Sequence, residues 1–115
     1  MPTAPLRAPA AGPARLFTAL ADDNRLAIVE SLSEHGPQSI TALARRAPVT
    51  RQAVRKHLAV LETAGIATSK RHGRERIWHL EPGRLAAAHA YLDRISHRWD
   101  DAIDRLGAYL EKDRE

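Results

Sequence analysis

The sequence predicts a mainly α-helical domain with one small antiparallel β-hairpin, comprising about five helices and two or three strands. Three observations predict this fold class. Apolar residues recur at helical spacing through most of residues 14–64. Two short segments rich in β-branched or aromatic residues then flank residues 72–75, which include Gly73. A long amphipathic segment follows Pro82 and Gly83, and at 115 residues the whole chain suits one compact unit.

Composition excludes several classes of protein. With 43% hydrophobic and 28% charged residues the chain is typical of a soluble globular domain, and no apolar run approaches the roughly 18 residues of a membrane span. The absence of cysteine excludes disulfides, zinc–thiolate sites and thiol chemistry. Residues 1–13 contain four prolines and lack the pattern of a secretory signal, so we expect a disordered arm, a cytoplasmic location and no membrane partner.

The segment after the arm predicts two helices with a break at residues 21–24. Asp22 or Asp23 is placed to cap the second helix, because a carboxylate there accepts hydrogen bonds from the free amides of the first turn. Gly36 and Pro37 end this helix, since Pro cannot continue it. The apolar residues that form the two helical faces are Leu16, Phe17, Leu20, Leu26, Ile28, Val29 and Leu32.

Residues 39–65 have the outline of a helix-turn-helix. Ser39 caps a short helix that stops before Pro48, because the residue preceding a proline is disfavoured in the α conformation. Thr50 caps a longer helix, residues 50–64, which Gly65 closes. We call residues 50–64 the recognition helix. A turn of about four residues joins the two helices, and one face of the second carries Val54, Leu58 and Leu61.

The hairpin is predicted from residues 66–71 and 76–80, with residues 72–75 as its turn. Trp78 and Leu80 share one face of the second strand by the two-residue period, and we expect that face to pack inward. Four basic residues lie on or beside the turn, namely Arg71, His72, Arg74 and Arg76. We call this hairpin the wing.

The last predicted helix covers residues 84–112 and would be about 43 Å long, longer than a domain of this size covers on one side. Its apolar stripe therefore predicts dimerisation through terminal helices; packing on its own domain is the alternative. We expect residues 14–82 to form the winged part and residues 83–115 a dimerisation helix of the same compact unit. The predicted interface residues are Leu16, Leu85, Leu92, Ile95, Trp99, Ile103, Leu106 and Leu110.

Positive charge is concentrated in one segment. The net charge is +4, but residues 45–76 hold nine basic residues against two acids, so this segment carries +7 and the rest of the chain −3. Such asymmetry is typical of a surface that faces a polyanion, although a solvated charged face has the same composition.

The exposed face of the recognition helix predicts contacts with double-stranded DNA. Arg51, Gln52 and Arg55 lie near its N-terminal end, where Arg can bond guanine and Gln adenine in the major groove. Lys56 and Thr50 are expected to hold phosphates and set the register. The arginines of the wing are suited to phosphates or to a narrow minor groove.

Three segments resemble the ArsR-type winged helix-turn-helix repressors. Residues 20–29, LADDNRLAIV, resemble the family pattern LADPTRLRIL. Residues 50–66, TRQAVRKHLAVLETAGI, resemble its recognition helix SQSAVSKHLRVLREAGLV, and residues 73–80, GRERIWHL, resemble its wing GRRRYYRL. The resemblance covers about residues 14–112. Arg55 replaces the usual Ser, so half-site preference is expected to differ. Asn24 in place of the usual Thr is a second departure.

The resemblance implies a homodimer that binds a near-palindromic operator with half-sites about one helical turn apart. It also implies a transcriptional repressor of its own or a neighbouring operon, released by an unknown small-molecule or metal effector that favours the conformation unable to bind DNA. His57 matches the family's recurrent His in the recognition helix, so a phosphate contact or a packing role is expected for it.

A metal-responsive repressor is one alternative function. The family's metal-binding helix before the recognition helix corresponds to residues 40–46, which contain neither Cys nor His. Only His89, Asp93 and His97, at spacings of four residues in the last helix, remain as weak candidate ligands, so no metal and no cofactor is predicted. A winged helix that makes only protein contacts is the other alternative. No motif of an enzyme is present.

Overall fold

The computed structural model of the protein describes residues 12–47 and 49–113. Most of the predicted arm and Pro48 lie outside the described residues. Within them are five helices and a two-stranded antiparallel sheet, so the predicted fold class is confirmed. The elements are α1 (Pro13–Leu20), α2 (Asp23–His35), α3 (Ile40–Arg46), α4 (Arg51–Thr63), β1 (Ala67–His72), β2 (Glu75–Leu80) and α5 (Pro82–Asp113).

Three helices begin at side-chain caps that the sequence indicated. Asp22 accepts a hydrogen bond from the amide of Arg25 at 3.0 Å, which decides between the two predicted caps of α2. Ser39 accepts from the amide of Ala42 at 3.2 Å, and Thr50 accepts from the amide of Ala53 at 3.1 Å. Each cap satisfies an amide that has no partner inside its helix, so the starts of α2, α3 and α4 are fixed locally.

One core joins α1 through α4 and the sheet. The predicted apolar face of α4 is fully buried in this core, and Trp78 of β2 closes it from the side of the sheet. Gln38 forms a single β-bridge with Trp78, giving two backbone hydrogen bonds of 3.0 and 2.8 Å. This bridge fixes the wing against the loop before α3. The largest fully buried side chains are Leu16, Ile28, Leu43, Val54, Leu58, Leu61 and Ile66.

The predicted four-residue turn of the hairpin is wrong. His72 pairs with Glu75, so the turn has only two central residues, Gly73 and Arg74. Gly73 has a φ of 65° and Arg74 does not have a positive φ, which is the pattern of a type II′ turn with Gly at its first central position. The glycine therefore permits a tighter turn, and both strands extend one residue further into the basic tip.

The last helix begins two residues earlier than predicted. Pro82 occupies the first turn, where its missing amide would have had no partner, and the amides of Arg84 and Leu85 both bond the carbonyl of Glu81 at 3.2 Å. The helix has 32 residues and is about 48 Å long. Its first part packs on α1, where the rings of Phe17 and Tyr91 lie 5.8 Å apart.

The distal part of α5 extends away from the core. The Cα radius of gyration is 19.6 Å, whereas a compact domain of this length has about 13 Å. The longest axis of the molecule measures 71 Å. Among the described residues no helix is both long and apolar enough to cross a membrane.

Candidate nucleic-acid interface

The exposed face of α4 carries the residues that the sequence assigned to DNA. Val54, Leu58 and Leu61 are buried on the opposite face, so α4 is held firmly with its polar side outward. The buried face thereby orients the solvent-facing side chains, of which Thr50 also caps the helix. In its N-terminal part, residues 50–56, the exposed side chains are those of Thr50, Arg51, Gln52, Arg55 and Lys56.

A cleft of about 300 Å³ brings α4 and the wing together. Two arginines from the N-terminal half of α4 and two from the wing line the same space, with Glu75 as the acidic residue among them. Four arginines around one cleft form a surface that attracts an anion. The fold brings them together although α4 and β2 are separate in the chain. The lining residues are Ser39, Ile40, Thr41, Arg51, Arg55, Arg74, Glu75 and Arg76.

The two strands of the wing place like charges directly opposite each other. Arg71 pairs with Arg76 in the register of the sheet, and the Arg76 side chain donates a hydrogen bond to the Ser69 hydroxyl at 3.2 Å. Like charges in this position oppose strand pairing. A bound polyanion would neutralise both, so the arrangement favours the bound state over the free one.

Not all of the predicted wing residues line the cleft. Arg71 and His72 border a second hollow of about 510 Å³ on the hairpin, which also contains Pro37, Ile77 and His79. Both side chains are exposed. The structure therefore joins Arg74 and Arg76 to the recognition helix, while Arg71 and His72 lie at the edge of the same basic surface.

His57 is not on the face expected for a DNA contact. Its side chain is only 19% exposed, and its Nδ1 lies 3.9 Å from Oδ2 of Asp22, the cap of α2. The imidazole therefore packs between α4 and the start of α2, because its helical position falls between the buried and the exposed faces. Of the two roles that the sequence left open for His57, the geometry favours packing.

Asp22 joins this contact to the start of α2. Its pKa is lowered from the ordinary value, chiefly because the carboxylate accepts the backbone hydrogen bond of Arg25, and the charges of Arg25 and His57 act in the same direction. The carboxylate is therefore ionised at neutral pH. It anchors the first turn of α2 beside the recognition helix.

The predicted dimer residues divide into two groups. Leu16 is 1% exposed and belongs to the core of its own protomer, so it has no surface to offer a partner. Leu85 is partly buried against the same core. The other members lie on α5 beyond its contact with α1, where Ile95 is half-buried and the rest are exposed; the exposed ones are Leu92, Trp99, Ile103, Leu106 and Leu110, joined by Tyr109.

The weak metal candidates lie on a solvated part of α5. His97 Nε2 is 3.8 Å from Asp93 Oδ2, and both side chains are mostly exposed. His89 is exposed as well. Within residues 12–47 and 49–113 no group of three or more His, Asp or Glu side chains is arranged to hold a metal ion. His97 and Asp93 make an ordinary side-chain contact one helical turn apart on a solvated face.

The start of α3 belongs to the cleft, and sequence reasoning did not place it there. Ser39 and Thr41 line it beside Arg51. In a helix-turn-helix the first helix crosses the DNA backbone, so hydroxyl groups at this position can meet a phosphate. The cap at Ser39 was visible in the sequence, but its proximity to the wing depends on the bridge between Gln38 and Trp78.

The order of elements, the basic recognition helix and the basic wing define a winged helix-turn-helix DNA-binding protein. The helix-turn-helix domain family matches residues 20–70. The HTH-type transcriptional regulator Rv2034 of Mycobacterium tuberculosis is 48% identical over 88% of this chain and 91% of that protein. The chain belongs to the ArsR family of winged helix-turn-helix transcriptional regulators, whose members are not enzymes.

Two further comparisons agree with this family. The arsenical resistance operon repressor of Escherichia coli is 32% identical over 70% of this chain and 69% of that protein. The structure of an ArsR-like transcriptional regulator from Rhodococcus sp. RHA1 superposes with a TM-score of 0.71 at 35% identity, covering 82% of this chain and 88% of that one. The resemblance drawn from three sequence segments is thus confirmed.

Proposed function

We propose that this DNA-binding transcriptional regulator acts as a homodimeric repressor in the cytoplasm. The single observation that carries its mode of binding is the cleft in which Arg51 and Arg55 of α4 meet Arg74 and Arg76 of the wing. A duplex seated there would receive the recognition helix in its major groove, with the wing on the adjacent backbone. Residues 14–82 would form the DNA-binding part and residues 83–115 the dimerisation helix.

Each residue type has a separate role in this proposal. Arg51, Gln52 and Arg55 read base edges, because they lie at the N-terminal end of α4, which enters the groove first. Lys56 and Thr50 contact phosphates and set the register. The wing arginines bind the backbone or the narrow minor groove beside it, without base readout.

Dimerisation is supported by the distal part of α5. Six large apolar side chains there are more than half exposed, and an apolar surface of that kind commonly marks a protein interface. A twofold pair of these helices would place two recognition helices on one side of a duplex. The operator would then be near-palindromic, with half-sites about one helical turn apart.

Repression is supported by the similarity to the arsenical resistance operon repressor of Escherichia coli. A repressor of this kind is released when an effector binds more tightly to the conformation that cannot bind DNA. We propose that this protein controls its own or a neighbouring operon in that way.

The salt dependence of DNA binding tests the proposal. A duplex is first selected from a random pool by the purified protein, and its dissociation constant is measured between low and moderate salt. Each phosphate neutralised contributes about 0.9 to the slope of log affinity against log salt. Arg74→Ala in both protomers should therefore reduce the slope by about 1.8, whereas Lys112→Ala at the far end of α5 should leave it unchanged.

Two outcomes would contradict the proposal. An affinity that does not change with salt would exclude binding through phosphates. Selection of duplexes without any repeated half-site would argue against a dimeric reader.

A further inference from the structure

The guanidinium of Arg84 joins three elements at one point. Its Nε donates to the carbonyl of Ala64 at 2.9 Å, and its Nη2 donates to the carbonyl of Gly12 at 3.2 Å. Ala64 is the C-cap of α4, Gly12 is the N-cap of α1, and Arg84 itself lies in the first turn of α5. One side chain thus links the end of the recognition helix to the helix that carries the exposed apolar stripe.

The C-terminal end of α4 is well suited to bind this side chain. Ala64 is buried, and a carbonyl at the C-terminal end of a helix has no amide partner within that helix. A cation there also meets the negative end of the helix dipole. The adjacent Gly65 has a φ of 76°, and a Cβ on it would lie 3.5 Å from Nε of Arg84 and 3.6 Å from its Cδ. These are ordinary van der Waals distances, so the positive φ that ends α4, and not crowding by the arginine stem, is what favours glycine here.

The contact has a mechanical consequence. The exposed stripe begins at Leu92, two turns after Arg84 on the same continuous helix, about 12 Å along its axis. A rotation or shift of α5 would therefore move the guanidinium and the two carbonyls that it holds. The planar fork of an arginine fixes direction as well as distance, because its donors are rigidly arranged.

We propose that Arg84 is a positioning residue that transmits the geometry of the paired α5 helices to the recognition helices and thereby fixes the half-site spacing. Arg84 does not touch DNA in this arrangement. It lies at the opposite end of α4 from Arg51 and Arg55. The inference rests on the proposed homodimeric binding of DNA. It adds the residue that sets the separation of the two recognition helices.

Half-site spacing provides a readout that stability alone would not change. Inserting or removing one base pair rotates one half-site by about 35° and shifts it by about 3.4 Å, so a rigid dimer should discriminate among spacings. Binding is measured on the selected duplex, on duplexes with one or two base pairs added or removed, and on a single half-site. Thermal unfolding and sedimentation are measured on the same preparations.

For Arg84→Ala we expect about tenfold weaker binding at the optimal spacing, in the range of typical coupling between sites. The ratio of affinities between the optimal and altered spacings should fall towards one. Affinity for the single half-site and the dimer mass should stay as in the unmodified protein. Lys112→Ala, which removes another cation from α5, should keep the full spacing preference.

Arg84→Lys gives a second, milder test. The ammonium retains the charge and reaches one carbonyl, but lacks the fork that bonds Ala64 and Gly12 together. An intermediate spacing profile is expected. If Arg84→Ala does not fold, this variant alone decides the matter, because an unchanged profile in Arg84→Lys overturns the proposal.

The other outcomes are equally decisive. An unchanged spacing ratio in Arg84→Ala, or an equal loss on all duplexes including the half-site, would reduce Arg84 to a structural residue and overturn the inference. If the unmodified protein is monomeric or shows no preferred spacing, the proposed dimeric function fails instead, whatever Arg84 does.

Discussion

Replacing Trp99 with Ala should separate dimerisation from folding. The Trp99 side chain is 63% exposed on α5, well beyond the part of the helix that packs on α1. A large aromatic side chain has up to about 250 Å² to bury, so roughly 160 Å² of Trp99 remains for a partner. At about 25 cal/mol/Å² this area corresponds to about 4 kcal/mol in each protomer.

Not all of that free energy would appear as affinity, because Ala retains some contact and the interface can relax. Taking about 3 to 4 kcal/mol for the whole dimer, the dissociation constant should rise by about 150- to 1000-fold. Sedimentation equilibrium over a wide range of concentrations measures this change. The circular dichroism spectrum should keep its helical signal over the same range of concentrations, since Trp99 takes no part in the buried core.

Asp104→Ala is the matched control, because residue 104 lies on the side of α5 away from the apolar stripe by helical periodicity. Its dimer should dissociate like that of the unmodified protein. A dissociation constant for Trp99→Ala within about threefold of the control, a difference of well under 1 kcal/mol, would refute the reasoning. The partner would then contact another surface, and the exposed stripe would need a different explanation.

Three further predictions concern the interface and its support. Arg55→Ala should relax the preference at one or two base positions, while Arg74→Ala should weaken binding to all duplexes alike; equal loss of specificity in selected-site assays would contradict these roles. Gly73→Ala should lower the free energy of unfolding by about 1 kcal/mol, because the φ of 65° is strained for any L side chain although a Cβ would meet no atom within 4 Å; Gly73→Asn should cost less, and chemical denaturation compares the two. Asp22→Ala should be less stable than the unmodified protein at pH 7. Because the folded pKa of Asp22 is lowered, its stabilisation is present above the ordinary value of 3.8 and is lost as the pH falls through the folded value, so the gap should close in acid. Asp22→Asn keeps a capping oxygen and serves as its control in thermal unfolding, and a gap that persists unchanged in acid would contradict the assignment.

Features that depend on neighbouring residues were predictable from the sequence. The caps at Ser39 and Thr50 and the stop at Gly36 follow from local hydrogen bonding and backbone preference, so the helix-turn-helix could be outlined correctly. The exposed face of α4 could be predicted from the helical spacing of its apolar residues alone. The hairpin was placed correctly, but its turn was not, because Gly73 fits either a two-residue or a longer turn and only the pairing of His72 with Glu75 decides.

Features that depend on residues distant in the chain were not predictable. Leu16 lies on a helix of only eight residues, so its apolar period could not distinguish a core contact from a partner contact. The sequence left a phosphate contact and a packing role open for His57, because it does not show that Asp22 lies 3.9 Å from the imidazole. Arg84, at the start of a charged helix, has the composition of a solvated residue, and its two carbonyl partners lie 20 and 72 residues away in the chain.

The arrangement of charge connects these findings. The cleft places four arginines around one acid, and the wing sets Arg71 opposite Arg76, so the free protein bears repulsion that a core of modest size must offset. That core holds α4 by its buried face, the Asp22 cap fixes the start of α2, and Arg84 binds the far end of α4. These contacts keep the arginines of the cleft close together. Without them, mutual repulsion would spread the cations apart and weaken the field that attracts DNA.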